Sequence, residues 1–222
     1  MTNRPRPGAH GGQPDPRTRT LLIVGAVTAA VVLLGLVVAL AGGGDKDDTT
    51  TRTGDGGVPA YGPVTLEGTT LPPFESTADD PAAGQAVPLL EGTTPDGAPV
   101  TVGGSGEPTL LVFLAHWCPH CQREVPVIVD LMAEGELAGT RVVAVLTGTS
   151  PDRPNFPPVA WLEREDWAGE VLLDDDTSAA AQGFGLSSYP YLVFLDAEGS
   201  VAARASGELP GEDIVALAAA AR

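Results

Sequence analysis

The chain has 222 residues and a formal net charge of −17, with 29 acidic side chains against 12 lysines and arginines. This acidic excess argues against nucleic acid as a partner, because binding to phosphates needs clustered Lys and Arg. Two cysteines are too few for a disulfide-rich scaffold, and the length allows one ordinary domain with some chain left over.

The N-terminal part of the sequence predicts a membrane anchor. Residues 1–20 carry four arginines against one aspartate, a net charge of +3, and the segment 21–41 that follows has no charged residue. A helix of about 20 residues spans roughly 30 Å, the thickness of a bilayer core. Because arginines precede the segment and aspartates follow it, residues 1–20 are expected in the cytoplasm and the remainder outside, as a single-pass protein of the cell membrane.

A cleaved signal peptide is the alternative for this segment. The apolar region of a signal peptide has about 7–15 residues, and segment 21–41 is longer, although Ala39 and Ala41 could form a small-residue cleavage site. The length favours an uncleaved signal anchor. Either outcome exports the rest of the chain to a compartment where disulfides can form.

Residues 42–84 predict a flexible, disordered linker, because Gly, Thr, Asp and Pro dominate and no apolar period appears. The folded domain is expected over residues 85–222.

Within that domain, apolar runs and turn residues predict alternating strands and helices. Two short strands should flank a turn at Pro95-Asp96-Gly97, and a buried strand should begin at Thr109. A helix is expected from Cys118 to about Glu134, with Pro126 inside it, followed by a buried strand over 141–146. The later segments predict, in order, a helix in VAWLERED, a strand in VLLD, a helix in TSAAAQGF, strands in YLVFLD and SVAARA, and a closing helix from Leu209. This alternation predicts an α/β domain with a central mixed sheet of about five strands flanked by helices.

The two cysteines, Cys118 and Cys121, lie where a buried strand should turn into a helix. A bridge between them would close a very short loop and would stabilise the fold little. Free N–H groups and the positive end of the helix dipole at Cys118 favour a thiolate there. Cys121 lies one turn further along the same face, so Cys118 is expected to react with the substrate and Cys121 to resolve the mixed disulfide. The disulfide would itself be the redox group, so we expect no bound cofactor.

The residues beside the cysteines suggest tuning of the site or, as an alternative, a metal ligand set. Trp117 should flank the active site, and Pro119 and His120 stand between the cysteines. His120 could stabilise a thiolate at Cys118, or it could be an ordinary exposed helix residue. Together with His116 and the cysteines it would supply four metal ligands, but a second ligand pair, which structural zinc sites usually have, is missing. We therefore expect no metal.

Tyr189 and Pro190 precede the strand in YLVFLD. A proline after an aromatic residue can be cis at a cost of only about 0.5–1 kcal/mol. Beside the cysteine pair, such a bond would leave the Tyr189 backbone free to pair with an extended polypeptide. An ordinary trans proline that opens a strand is the alternative.

These motifs resemble the thioredoxin fold and, more closely, the membrane-anchored TlpA/ResA-like thiol–disulfide oxidoreductases. The likeness covers residues 84–222: WCPHC after a buried strand, then x-x-E-x-P with Glu124 and Pro126, and YPYLVFLDAEG downstream. It implies a thioredoxin-like fold outside the cytoplasmic membrane. It also implies disulfide exchange with exported thiol or disulfide proteins and a redox partner in or beyond the membrane.

Some residues depart from the family pattern. Pro119-His120 is more similar to the oxidising DsbA-type enzymes, so the direction of electron flow is open. Thioredoxin has a buried aspartate where this chain has Val112, which makes Glu124 the candidate proton shuttle, unless it is a solvated helix residue. Tyr189 replaces a small or β-branched residue. A thioredoxin-fold carrier of copper or haem for a membrane oxidase is the alternative function, and His116 and His120 are the residues that favour it.

Overall fold

The computed structural model describes residues 57–104 and 106–222. The predicted cytoplasmic tail, the predicted anchor over 21–41 and the first part of the predicted linker lie outside these residues. Among the residues described, none of the helices has the length and apolar character needed to cross a bilayer.

A mixed sheet forms the centre of the described domain. Its strands are β1 (Thr65–Glu67), β2 (Leu89–Thr93), β3 (Pro99–Val102), β4 (Thr109–Leu114), β5 (Arg141–Leu146), β6 (Glu170–Leu173), β7 (Tyr191–Leu195) and β8 (Val201–Ser206). The strand order is β1-β2-β6-β5-β4-β7-β8, with β3 paired to β2. Strands β4, β5 and β6 are parallel, whereas β7 and β8 run antiparallel to their neighbours.

The two central parallel strands follow from uninterrupted apolar sequence. Every residue of β4 is buried, and β4 pairs with β5 from Thr109↔Arg141 to Leu114↔Leu146. Successive side chains of β4 enter opposite cores, with Val112 on one side of the sheet and Phe113 on the other. The end of β4 is thereby fixed at the centre of the domain, and the chain that leaves it leads directly to Cys118.

Helices cover the sheet: α1 (Pro119–Ala133), α2 (Pro158–Arg164), α3 (Ala179–Gly183) and α4 (Gly211–Ala220). Helix α1 buries Cys121, Glu124, Val125 and Ile128, which share one face because of their spacings of three and four residues. Burying an aliphatic side chain such as Ile128 contributes about 1.5–3 kcal/mol. Pro126 is exposed inside α1, which continues to Ala133.

The sequence-based elements of residues 85–222 are confirmed, and the turn at 95–97 closes with Thr94 N–H donating to the Ala98 carbonyl at 2.8 Å. The expected number of about five strands is too small, since the described sheet has eight.

The predicted linker over 42–84 extends too far along the chain. Residues 57–84 contain β1 and pack on the domain, with Leu71 and Phe74 buried against the same core as Phe113. Asp80 forms an ion pair with the fully buried Arg204. Single residues that contact the domain in this way leave no apolar period in the sequence, so residues 57–84 resembled a disordered linker. Residues 42–56 lie outside the described part.

Candidate active site

Cys118 lies at the N-terminus of α1, four residues after Leu114, the last residue of β4. It is the N-cap residue, with extended backbone angles, and no side chain caps the helix there. Its N–H donates to the Ala115 carbonyl at 2.9 Å, and its carbonyl accepts from Gln122 N–H at 3.1 Å. The partial positive charge of this helix end therefore lies at Cys118, whose relative accessibility of 6% leaves its edge within reach of solvent.

Cys121 lies behind Cys118 and is fully buried. Burial raises the pKa of the Cys121 thiol, and the charges of Cys118 and Glu124 raise it further. Both cysteines are free thiols in this structure. The two sulfurs thus differ in the way that disulfide exchange requires, because one can meet a substrate and the other stays protonated until a base accepts its proton.

Glu124 is buried beneath the cysteines, so a solvated helix position is excluded. Its relative accessibility is 1%, and both carboxylate oxygens accept from Leu209 N–H at 3.2 Å. Burial raises the pKa of Glu124 to about 7, against the lowering effect of the Leu209 N–H. Among the described residues, the titratable groups that face this carboxyl are Cys121 on α1 and Glu208 on the loop between β8 and α4. A carboxyl with this pKa can accept and return a proton at neutral pH.

Tyr189 and Pro190 lie against the reactive cysteine. The peptide bond between them is cis, as the sequence suggested. The Cys118 sulfur is 3.9 Å from the Tyr189 carbonyl oxygen, and the Tyr189 ring stands edge-on to Trp117 with centroids 5.9 Å apart. The Trp117 indole N–H donates to the Gly148 carbonyl at 2.8 Å, so the aromatic pair forms one wall beside Cys118.

Gly148 allows Tyr189 to occupy this position. Its φ of +56° is in the left-handed region, and a Cβ added there would lie 2.5 Å from the Tyr189 hydroxyl oxygen. We expect Gly148→Ala to lower the free energy of unfolding by about 1–3 kcal/mol more than Gly135→Ala does, because overpacking adds to backbone strain.

Gly135 is a matched control, since its φ is +78° and nothing lies within 4 Å of an added Cβ. Urea unfolding measures both losses, and the Trp117 indole N–H resonance reports displacement of the aromatic wall. Equal losses, with an unmoved resonance, would contradict this packing.

Both ring nitrogens of His116 form hydrogen bonds with backbone groups. It is fully buried, its Nδ1 lies 2.6 Å from the Pro154 carbonyl oxygen, and its Nε2 accepts from Ser150 N–H at 3.2 Å. A carbonyl can only accept, so the proton is on Nδ1 and the ring is neutral. Burial lowers the pKa of His116, which agrees with that state. Binding a metal through either nitrogen would break one of these bonds, and no cluster of three potential ligands occurs in the described part of the chain.

His120 is exposed and pairs with a carboxylate from another element. Its Nδ1 lies 2.6 Å from Glu208, which also accepts from Arg123. The structure therefore brings His120 to Glu208, and a direct role at the Cys118 thiolate stays a prediction. Pro119 is exposed at the first position of α1, where its missing N–H has no cost.

A family model described as a thioredoxin-like domain matches residues 95–222 of this chain. The chain belongs to the thioredoxin-like family. The match includes both cysteines, Glu124 and the Tyr189–Pro190 bond.

Individual relatives agree with this membership. Methylamine utilization protein MauD of Methylobacillus flagellatus is 32% identical over 127 residues, which cover 56% of this chain and 57% of the relative. The chain thus spans just over half the length of that curated relative.

Two solved structures share the fold of this thioredoxin-like domain. A thiol:disulfide interchange protein of Chlorobium tepidum has a TM-score of 0.51 at 20% identity, covering 64% of this chain and 98% of its own. The dsbF protein of MTB has a TM-score of 0.51 at 23% identity, with coverages of 60% and 94%. At these identities the likeness shows the fold alone.

Sequence reasoning missed several residues around the cysteines of this thioredoxin-like domain. Glu208 and Leu209 reach α1 from a loop 85 residues away in sequence, and Gly148 contacts Trp117 across 31 residues. The guanidinium carbon of Arg153 lies 4.9 Å from the Trp117 ring centroid. None of these positions belongs to a local motif, so only the fold could identify them.

Proposed function

We propose that this thioredoxin-like protein is a membrane-anchored, extracytoplasmic thiol–disulfide oxidoreductase that exchanges disulfides with exported proteins. The observation that carries the proposal is the layered arrangement at the start of α1. Cys118 lies at the helix end near the surface, with Cys121 and then Glu124 buried behind it. The anchor and the outside location are supported by the uncharged segment 21–41 and the arginines before it.

In the first step, the Cys118 thiolate attacks one sulfur of a substrate disulfide. The substrate S–S bond breaks and a Cys118–substrate S–S bond forms. The second substrate sulfur leaves as a thiolate and takes a proton from solvent. Tyr189 and Pro190 are the proposed substrate-binding positions, because the Tyr189 carbonyl lies 3.9 Å from the Cys118 sulfur, where an extended polypeptide would meet it.

In the second step, Cys121 resolves the mixed disulfide. Its thiol has a raised pKa and must lose its proton to become a nucleophile, and the Glu124 carboxylate accepts that proton. The Cys121 sulfur then attacks Cys118, and the bond from Cys118 to the substrate breaks. The substrate sulfur leaves as a thiolate and takes a proton from solvent, so the substrate is released as a dithiol, reduced by two electrons, and the protein holds the Cys118–Cys121 disulfide.

The same steps run in reverse when the protein disulfide oxidises a substrate dithiol. The potential of the substrate and of a redox partner at the membrane sets the direction. No cofactor takes part, because the two sulfurs carry both electrons.

Trapping of mixed disulfides tests the proposal. In the full chain with Cys121→Ser, the Cys118–substrate bond cannot be resolved, so we expect adducts in the membrane fraction that disappear on reduction. The control is the Cys118→Ser, Cys121→Ser double variant, which keeps the anchor and the fold. Adducts of equal amount in the double variant, or none with Cys121→Ser, would contradict the proposed exchange.

A further inference from the structure

Residues 207–210 form a loop between β8 and α4, called here the 207–210 loop, and it lies against both parts of the site. At its start, Gly207 N–H donates to the Pro190 carbonyl at 2.8 Å. Two residues later, Leu209 N–H donates to both Glu124 oxygens at 3.2 Å. One short loop therefore connects the proposed substrate-binding position with the proposed proton acceptor.

Between these two backbone contacts, the side chain of Glu208 holds the loop to the exposed face of α1. It accepts from Arg123 Nε at 3.1 and 3.0 Å and from Arg123 Nη2 at 2.6 Å, in a two-pronged pair. Its Oε1 also lies 2.6 Å from His120 Nδ1, which itself lies 2.9 Å from Arg123 Nη2. His120 and Arg123 are one turn apart on α1, so the carboxylate bridges neighbouring side chains of the same helix.

The contacts alternate in a way that couples the surface to the interior. Glu208 binds the exposed residues of α1, and the next amide along the chain, that of Leu209, binds the buried Glu124. Glu208 and Leu209 are adjacent in the chain, so their positions are linked. The ion pair between Glu208 and Arg123 at the surface therefore restrains the position of the Leu209 N–H. This N–H is the hydrogen-bond donor that the structure shows at the Glu124 carboxylate.

We infer that Glu208 is a positioning residue for Glu124: held by Arg123 and His120, it places the Leu209 N–H on the carboxylate that accepts the Cys121 proton. This inference rests on the proposed function. Hydrogen bonds from Arg123, then from His120, lower the pKa of Glu208 to about 2. The Glu208 carboxylate is therefore ionised at every pH at which Glu124 titrates.

Glu208 has two opposite effects on the pKa of Glu124, one through its charge and one through the Leu209 N–H. The sign of the change in this pKa therefore distinguishes a positioning role from a purely electrostatic one. Its negative charge raises the pKa of Glu124, whereas the Leu209 N–H that it positions lowers it, and the N–H has the larger effect. If Glu208 acted through charge alone, its removal would lower the Glu124 pKa. If it positions the amide, removal of its side chain should raise that pKa.

The test is a titration of the Glu124 carboxyl by ¹³C NMR in the full, reduced chain. We expect the pKa of Glu124 to rise by about half a unit or more in Glu208→Ala, because a hydrogen bond to the charged form is lost. In Glu208→Gln, which still offers Arg123 an acceptor but has no charge, it should stay level or fall. Glu212→Ala removes an exposed carboxylate from α4 and serves as the control. The pH at half-maximal resolution of the mixed disulfide should shift in parallel.

A fall in the Glu124 pKa in Glu208→Ala, or no change beyond that of Glu212→Ala, would overturn the inference. Should Glu208→Ala fold poorly, Arg123→Lys is the second variant: it keeps the positive charge but loses the two-pronged pair with Glu208, and it should also raise the pKa of Glu124. The NMR titration is independent of disulfide exchange. A shift without any exchange activity would thus reject the proposed function, whereas activity without a shift would reject the positioning role.

Discussion

Replacing Glu124 with glutamine is expected to remove about 3 kcal/mol of pH dependence from the free energy of unfolding of the reduced protein. The carboxyl is buried, which raises its pKa from an ordinary 4.5 to about 7. Each unit of difference between the folded and unfolded chain corresponds to about 1.4 kcal/mol. Glutamine has nearly the same shape and can accept from Leu209 N–H, but it does not titrate.

The sign of the effect follows from where the proton binds. Between pH 4.5 and 7 the folded chain holds a proton on Glu124 that the unfolded chain has released, so stability falls as pH rises. Below 4.5 both forms are protonated, and the contribution is fully present. Above 7 both are ionised, and it is lost. Urea unfolding at pH 4.5 and pH 8 should show this extra fall in the wild type and not in Glu124→Gln.

The same substitution should slow resolution of the mixed disulfide by about 10²–10⁴-fold near pH 7, the range typical of a positioned proton acceptor. The wild-type rate is expected to level off once Glu124 is ionised, above pH about 7. The Glu124→Gln rate should keep rising with pH, because Cys121 then depends on hydroxide. Glu134→Gln, at the exposed end of α1, is the control. Parallel pH profiles for wild type and Glu124→Gln would contradict a proton-accepting role.

Much of the fold could be predicted from the sequence because its signals are local. The apolar runs at 109–114 and 141–146 are too short for helices of their own and favour buried strands, and WCPHC between a strand and a helix places Cys118 at a helix N-terminus. The face of α1 that contains Cys121 and Glu124 follows from helical spacing alone. These features depend on residues within a few positions of one another.

The remainder depends on contacts between distant residues that leave no pattern. Whether Glu124 is buried or solvated is decided by Leu209, 85 residues away, and the partner of His120 is decided by Glu208 on the same loop. The ring of His116 looks like a metal ligand in the sequence, but the fold surrounds it with the backbone of residues 150–154. A side chain's chemistry can be read locally, whereas its partner cannot.

The largest stability effect is expected from Asp80→Ala, which should lower the free energy of unfolding by about 3–5 kcal/mol, since it leaves an unpaired charge in the interior. Arg204 is fully buried and donates through Nε to Asp80 at 2.8 Å, with a second bond from Nη2 to the same carboxylate. Its Nη1 donates to the Pro72 carbonyl at 2.8 Å and lies 3.0 Å from the Tyr191 hydroxyl. The guanidinium thus ties residues 72–80 to β7 and β8.

Asp79→Ala is the matched control, because Asp79 is the neighbouring carboxylate and is exposed. The hydrogen bond from Arg204 lowers the pKa of Asp80 below the ordinary 3.8. The contribution of Asp80 is therefore present above pH 3.8 and is lost as pH falls through the lower, folded value. Urea unfolding at pH 7 measures the loss, and proteolysis should become faster within residues 57–84 in Asp80→Ala.

The Asp80→Ala, Arg204→Met double variant tests whether the stability lost in Asp80→Ala comes from the unpaired charge of Arg204. Removing both charges leaves no unpaired guanidinium, so the double variant should recover part of the stability lost in Asp80→Ala. A loss in Asp80→Ala no larger than in Asp79→Ala would mean that residues 57–84 are held by their apolar contacts alone. Recovery in the double variant would instead show that the cost comes from the stranded charge. Asp80 would then be the residue that allows the Arg204 guanidinium to be buried.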